Sequence, residues 1–96
     1  MRHIAVFWAQ ANPLLISAVM EAINTRIEWL ASDNHLLGTP IKDLGPEYRS
    51  IVERRFGYRI YYRLEGQPVD TLAILAVRHG RQRPLRSSSL RQFARS

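Results

Sequence analysis

The stretch Tyr58-Arg59-Ile60-Tyr61-Tyr62-Arg63-Leu64 constrains the fold of this chain more than any other. Read with a period of two, Tyr58, Ile60, Tyr62 and Leu64 fall on one face and Arg59, Tyr61 and Arg63 on the other, which is strand geometry. Glu65-Gly66-Gln67-Pro68 follows as a turn cluster. Thr71 to Val77 is then an apolar run of strand length, ending in Arg78-His79-Gly80-Arg81. The two runs read as a β-hairpin with one apolar face, one arginine–tyrosine face and a basic exit loop. Function is expected on that polar face and that loop.

The flanking chain must supply the layer that covers the apolar face. Tyr48 to Phe56 alternates imperfectly and reads as a further strand, with Gly57 allowing a tight reversal into the hairpin. Asp33 to Pro46 reads as a loop punctuated by Gly38, Pro40, Gly45 and Pro46, with Leu36, Leu37, Ile41 and Leu44 pinning it to the core. Ile4, Phe7, Trp8 and Ala11 recur at helical spacing and predict a short first helix. Asn12-Pro13 reads as the break and cap before a second helix, from Pro13 to about Ser32. Its apolar stripe is Ile16, Val19, Met20, Ile23, Ile27 and Leu30, with Trp29 at the edge or facing a partner. The expected fold class is α+β: an N-terminal helical hairpin on a small antiparallel sheet of about three strands. Residues 1–84 form the domain in this reading, and 85–96 form a basic flexible tail containing Arg86, Arg91 and Arg95.

Charge is unevenly distributed. Through Tyr48 the bases Arg2, Arg26 and Lys42 stand against Glu21, Glu28, Asp33, Asp43 and Glu47, a net of −2. From Arg49 onward eleven arginines stand against Glu53, Glu65 and Asp70, a net of +8. Guanidinium forks suit carboxylates and phosphates, so an acidic protein surface or a nucleic acid is the implied partner class. The plain alternative is a solvated basic surface. With no cysteine there is no disulfide framework or thiolate metal site, and His3 and His35 are too isolated to suggest a metal. No apolar run has the length of a membrane span, and Met1-Arg2-His3 does not open a signal-peptide layout, so a cytoplasmic protein is expected. No glycine-rich phosphate loop precedes a helix, and no cofactor is expected.

Several local motifs, taken in order, resemble the ParE/RelE superfamily of bacterial toxins from type II toxin–antitoxin modules. They are Asn12-Pro13, Trp29-Leu30-Ala31, Leu37-Gly38-Thr39-Pro40, Tyr58-Arg59-Ile60-Tyr61-Tyr62-Arg63 and Ile74-Leu75-Ala76-Val77-Arg78-His79-Gly80-Arg81. The last of these looks like the ParE branch. That resemblance implies a toxin that binds and inhibits DNA gyrase, neutralised by a ParD-like antitoxin with an acidic or amphipathic C-terminal segment. It also implies a first β-strand, whereas this chain reads as starting inside the first helix. The strand is therefore expected either to be missing or to lie upstream of Met1; if it is missing, an exposed sheet edge is left for the antitoxin or a second copy to cover.

Within the resemblance, the target- and antitoxin-binding residues are expected to be Arg59, Tyr61, Arg63, Arg78, His79, Arg81 and Arg83, with a groove beside the helices holding antitoxin apolar residues. RelE-like relatives are instead ribosome-dependent endoribonucleases acting on mRNA. Attack by a 2′-hydroxyl needs a base, a phosphate-facing cation and an acid. Arg59 and Arg78 would be the cations here, with His79 or Glu53 as base or acid. The lysine-rich strand and C-terminal tyrosine of RelE-type nucleases are absent, so the reading leans to a binder rather than an enzyme. A nucleic-acid-binding regulator without toxicity is the third alternative. The bland readings are that Arg59 and Arg63 only keep a sheet face wet or pair with Glu53, and that His79 is an ordinary loop residue.

Overall fold

A computed structural model describes residues 3–10, 13–82, 85 and 90. The chain runs β1 (Ala5–Trp8), α1 (Ser17–Ala31), β2 (Thr39–Pro40), β3 (Tyr48–Glu53), β4 (Tyr58–Glu65) and β5 (Thr71–His79). The strands form one sheet in the order β1-β5-β4-β3-β2. β1 lies parallel to β5 and the other neighbours are antiparallel. The class is α+β, but with one helix over a five-stranded mixed sheet rather than a helical hairpin over three strands.

The expected first helix is the strand β1. Ile4, Val6 and Trp8 pack into the helix-side core while Phe7 stays 42% exposed. Over so short a run, residues four apart share a face in either structure, so the spacing does not choose. β-Branched and aromatic composition favours a strand, and pairing Ala5 with Thr71 and Trp8 with Ile74 decides it. The first strand is therefore present, and with it goes the expected missing-strand edge. Thr39 and Pro40, read as loop, pair with Ser50 and Arg49 and close the other side of the sheet. The third strand is also shorter than expected, because residues 54–57 turn back into β4.

α1 begins at Ser17, not at Pro13. Ile16 is extended at φ −62°, ψ 153°, and no side chain caps the N-terminus. Asn12, the expected cap, lies outside the described residues. Leu14 and Ile16 are exposed and only Leu15 of this segment packs on the core, so residues 13–16 carry the chain from the sheet to the helix instead of extending the helix. The buried stripe is Val19, Ile23, Ile27, Leu30 and Ala31. It meets Ile51, Ile60, Tyr62, Leu64, Leu72 and Ile74. Each fully buried Ile or Leu in this layer contributes roughly 1.5–3 kcal/mol. The helix ends where Asn34 Nδ2 donates to the Trp29 carbonyl at 2.7 Å and Asp33 turns left-handed at φ 72°.

A buried phenol locks the loop after α1. Gly38 N–H donates to the Tyr62 hydroxyl at 3.1 Å, and that hydroxyl donates to the His35 carbonyl at 2.8 Å. Arg49 Nη1 reaches the carbonyls of Leu36 and Gly38 at 3.0 and 2.9 Å.

Opposite the helix, a second apolar cluster joins Tyr48, Tyr61, Ala73, Leu75 and Leu90, with Leu85 packed against it. A register shift at Tyr61/Tyr62 accommodates Leu75. The expected open basic face is thus apolar along its middle, and its arginines sit at the ends. Of the expected tail, Leu85 and Leu90 are described; residues 86–89 and 91–96 lie outside the described residues. Among the described residues no helix is long and apolar enough to cross a membrane.

Candidate functional site

β4 and β5 place Arg59 directly opposite Arg78, on the sheet face away from α1. Cross-strand neighbours have Cβ atoms about 5 Å apart, and like charges so placed repel. An anionic group between them relieves that repulsion, which makes the pair a ready anion contact. Arg59 Nη1 donates to Ser50 Oγ at 3.1 Å, and Ser50 is buried on β3. The hydroxyl thereby fixes one arm of the fork.

The exit loop completes the recess. His79 N–H donates to Gln82 Oε1 at 2.7 Å, and Gln82 N–H returns to the His79 carbonyl at 2.9 Å. Gly80 N–H donates to the Gly57 carbonyl at 2.8 Å, tying this loop to the β3–β4 turn. The resulting cleft, about 160 Å³, is lined by Arg59, Tyr61, Arg78, His79, Gly80 and Gln82. Tyr61 contributes a wall that is almost wholly buried, and its hydroxyl accepts Leu85 N–H at 3.4 Å.

His79 Nδ1 accepts the Arg81 N–H at 3.1 Å, so the neutral ring carries its proton on Nε2. The ring meets Tyr58 edge-on, with centroids 5.0 Å apart. Glu53 is 4% exposed. Its carboxylate accepts Arg55 N–H at 2.6 Å and Phe56 N–H at 3.0 and 3.3 Å, capping the β3–β4 turn. By register Glu53 and His79 flank Tyr58 on the helix side of the sheet, whereas Arg59 and Arg78 point the other way. The four residues therefore do not converge as one acid–base set. Only the two arginines and the edge of His79 share the cleft.

Other expected site residues lie apart. Arg63 pairs with Glu65 through Nε, at 3.1 Å, and Nη2. It stands opposite Tyr48, near the far end of β4 from Arg59. Arg81 is exposed in the exit loop, and Arg83 lies outside the described residues. A second recess lies on the helix side of β3, where Arg26 and Trp29 face Arg54 and Arg55. Sequence reading gave Trp29 only an edge or partner-facing role and missed the arginines. The available signal was the i, i+3 spacing of Arg26 and Trp29 on a helix. Among the described residues no group of three or more His, Cys, Asp or Glu could hold a metal ion.

A family model described as the ParE toxin of the type II toxin–antitoxin system parDE matches residues 1–84. The chain belongs to the ParE toxin family. As a ParE toxin it is the toxin member of a toxin–antitoxin pair, and a cognate antitoxin is its partner. No curated protein and no solved structure matches it.

Proposed function

We propose that this ParE toxin arrests growth by binding DNA gyrase in the cytoplasm, and that a ParD-like antitoxin with an acidic C-terminal segment neutralises it. The observation that carries a binding mechanism is the separation of the groups. Arg59 and Arg78 converge on one cleft, while the Glu53 carboxylate is engaged by the turn and His79 Nδ1 by its own loop. Paired guanidinium groups without a free base suit recognition of carboxylate or phosphate better than proton transfer. The lip formed by Arg59, Arg78, His79 and Arg81 is the target contact in this reading. Purified toxin added to gyrase should block supercoiling of relaxed plasmid at near-stoichiometric ratios. Full supercoiling under a large excess of toxin removes the proposal.

One observation favours RNA cleavage as the second reading: two phosphate-suited cations and a histidine line the same cleft. Under that reading, ribosomes programmed with mRNA are cut at defined positions by the toxin, and Arg59→Ala abolishes the cuts.

A further inference from the structure

The sheet has two outer strands, and they differ. β2 is two residues long and contains Pro40, which has no N–H to offer, so that edge is blunted. β1 bears none of the usual protections. Ala5-Val6-Phe7-Trp8-Ala9 has no charge and no proline. Ala5 N–H donates to the Asp70 carbonyl at 3.1 Å and Ala9 N–H to the Ile74 carbonyl at 2.9 Å, so the odd-numbered residues direct their backbone toward β5. The backbone groups of Ile4, Val6 and Trp8 consequently point outward. Ile4 N–H is taken by the Ala31 carbonyl at 2.9 Å. Among the described residues no backbone bond from outside the sheet reaches the N–H of Val6 or Trp8. Phe7 alternates with them and so stands, 42% exposed, beside this edge on the sheet face away from α1.

An antiparallel neighbour satisfies such an edge only in a register that matches open residue to open residue. A second copy of the edge does so about a two-fold axis through Phe7. Val6 then faces the second copy's Trp8, and Trp8 its Val6, each pair exchanging both N–H···O bonds. Phe7 meets its own counterpart in the intervening non-bonded pair, where side chains come closest. An axis through Val6 would need the Ile4 amide that Ala31 already holds, and an axis through Trp8 would need Gln10, past the end of β1. An acidic segment finds no cation between Ala5 and Ala9, and a basic one finds no carboxylate; a neutral edge meeting itself strands no charge. β1 covers only Thr71–Ile74 of β5, whereas Arg78 and its neighbour Arg59 lie toward the other end, so pairing through β1 leaves the lip uncovered. We propose that β1 is a self-association edge: two copies of this chain pair β1 antiparallel to β1, Phe7 on Phe7, and join their five-stranded sheets into one.

Sedimentation of the unaltered whole chain should show a monomer–dimer equilibrium of the weak class expected for so short an interface, populated within a series rising to about 0.5 mM. Phe7→Lys and Phe7→Glu each set like charges face to face and should weaken the dimer about tenfold or more, while mixing the two should restore a heterodimer. Phe7 belongs to neither buried cluster, so these changes spare the monomer's core. The chain has no cysteine, so one introduced thiol reports the register. Phe7→Cys should form a disulfide dimer under oxidised glutathione, because the axis sets its two Cα atoms about 4.5 Å apart. Ala5→Cys should not, since the same register holds its two copies roughly 14 Å apart. An unaltered chain that stays monomeric throughout the series overturns the proposal. So does a dimer that both charged variants keep, or crosslinking of Ala5→Cys as fast as that of Phe7→Cys. None of these results depends on gyrase, so this edge and the proposed target fail separately.

Discussion

Tyr62→Phe removes one oxygen from the centre of the fold, and two independent measurements read its effect. Tyr62 is 0% exposed, and its hydroxyl joins Gly38 N–H to the His35 carbonyl. Two net hydrogen bonds contribute about 1 kcal/mol each, and stranding the buried Gly38 amide costs about 1–3 kcal/mol. The expected loss near neutral pH is therefore about 3 kcal/mol, or roughly 15 °C in Tm for a domain of this size. Burial pushes the Tyr62 phenol up to about 12, against the opposing effects of the Gly38 N–H and the Arg49 charge. An unfolded tyrosine ionises near 10. Between those values the unfolded chain has released the proton and the native state has kept it. The stabilising effect of the protonated phenol is complete below about pH 10 and is lost as pH rises toward 12, a fall of about 2.7 kcal/mol. Phe has no such proton, so the gap between parent and variant should be widest near pH 7 and should close steeply above pH 10. Urea unfolding across that range measures it. A gap below about 1 kcal/mol at pH 7, or one that stays constant to pH 12, would refute the reasoning.

Three further outcomes follow from the same geometry. Gly38→Ala places a Cβ 2.2 Å from the Tyr62 hydroxyl and 2.9 Å from the Ser50 carbonyl, so thermal unfolding should show a loss of about 2–3 kcal/mol. Glu53→Ala releases the Arg55 and Phe56 amides and should lose about 3 kcal/mol in urea unfolding, while Glu53→Gln keeps an acceptor oxygen and should recover part of it. Arg59→Ala relieves a cross-strand repulsion while losing the Ser50 contact, so its stability should stay within about 1 kcal/mol of the parent although growth arrest is lost.

The hairpin was legible because Tyr58 to Leu64 alternates over enough positions for period two to exclude a helix. The structure places Ile60, Tyr62 and Leu64 toward α1 and Tyr61 away from it. β1 was not legible, because four residues satisfy both periods and their partner strand lies at the other end of the domain. β2 is two residues long and contains a proline, which leaves no pattern to read. The helix start misled because Asn12-Pro13 has the chemistry of a cap, whereas residues 13–16 are not helical and Ile16 is extended. At the site, Arg59 could be placed on a face from sequence, but its juxtaposition with Arg78 depends on β4–β5 register. Glu53 looked like a candidate acid or base because its sequence position does not reveal its burial. A carboxylate two and three residues before turn amides is, in hindsight, a turn cap.

In the proposed function the guanidinium pair at the β4–β5 lip is what acts on the target. Gyrase supercoiling measured with folded Arg59→Ala/Arg78→Ala toxin beside Arg54→Ala/Arg55→Ala toxin tests it most directly. The lip variant should leave supercoiling intact while the turn variant inhibits as the parent does; inhibition undiminished in the lip variant would contradict the account.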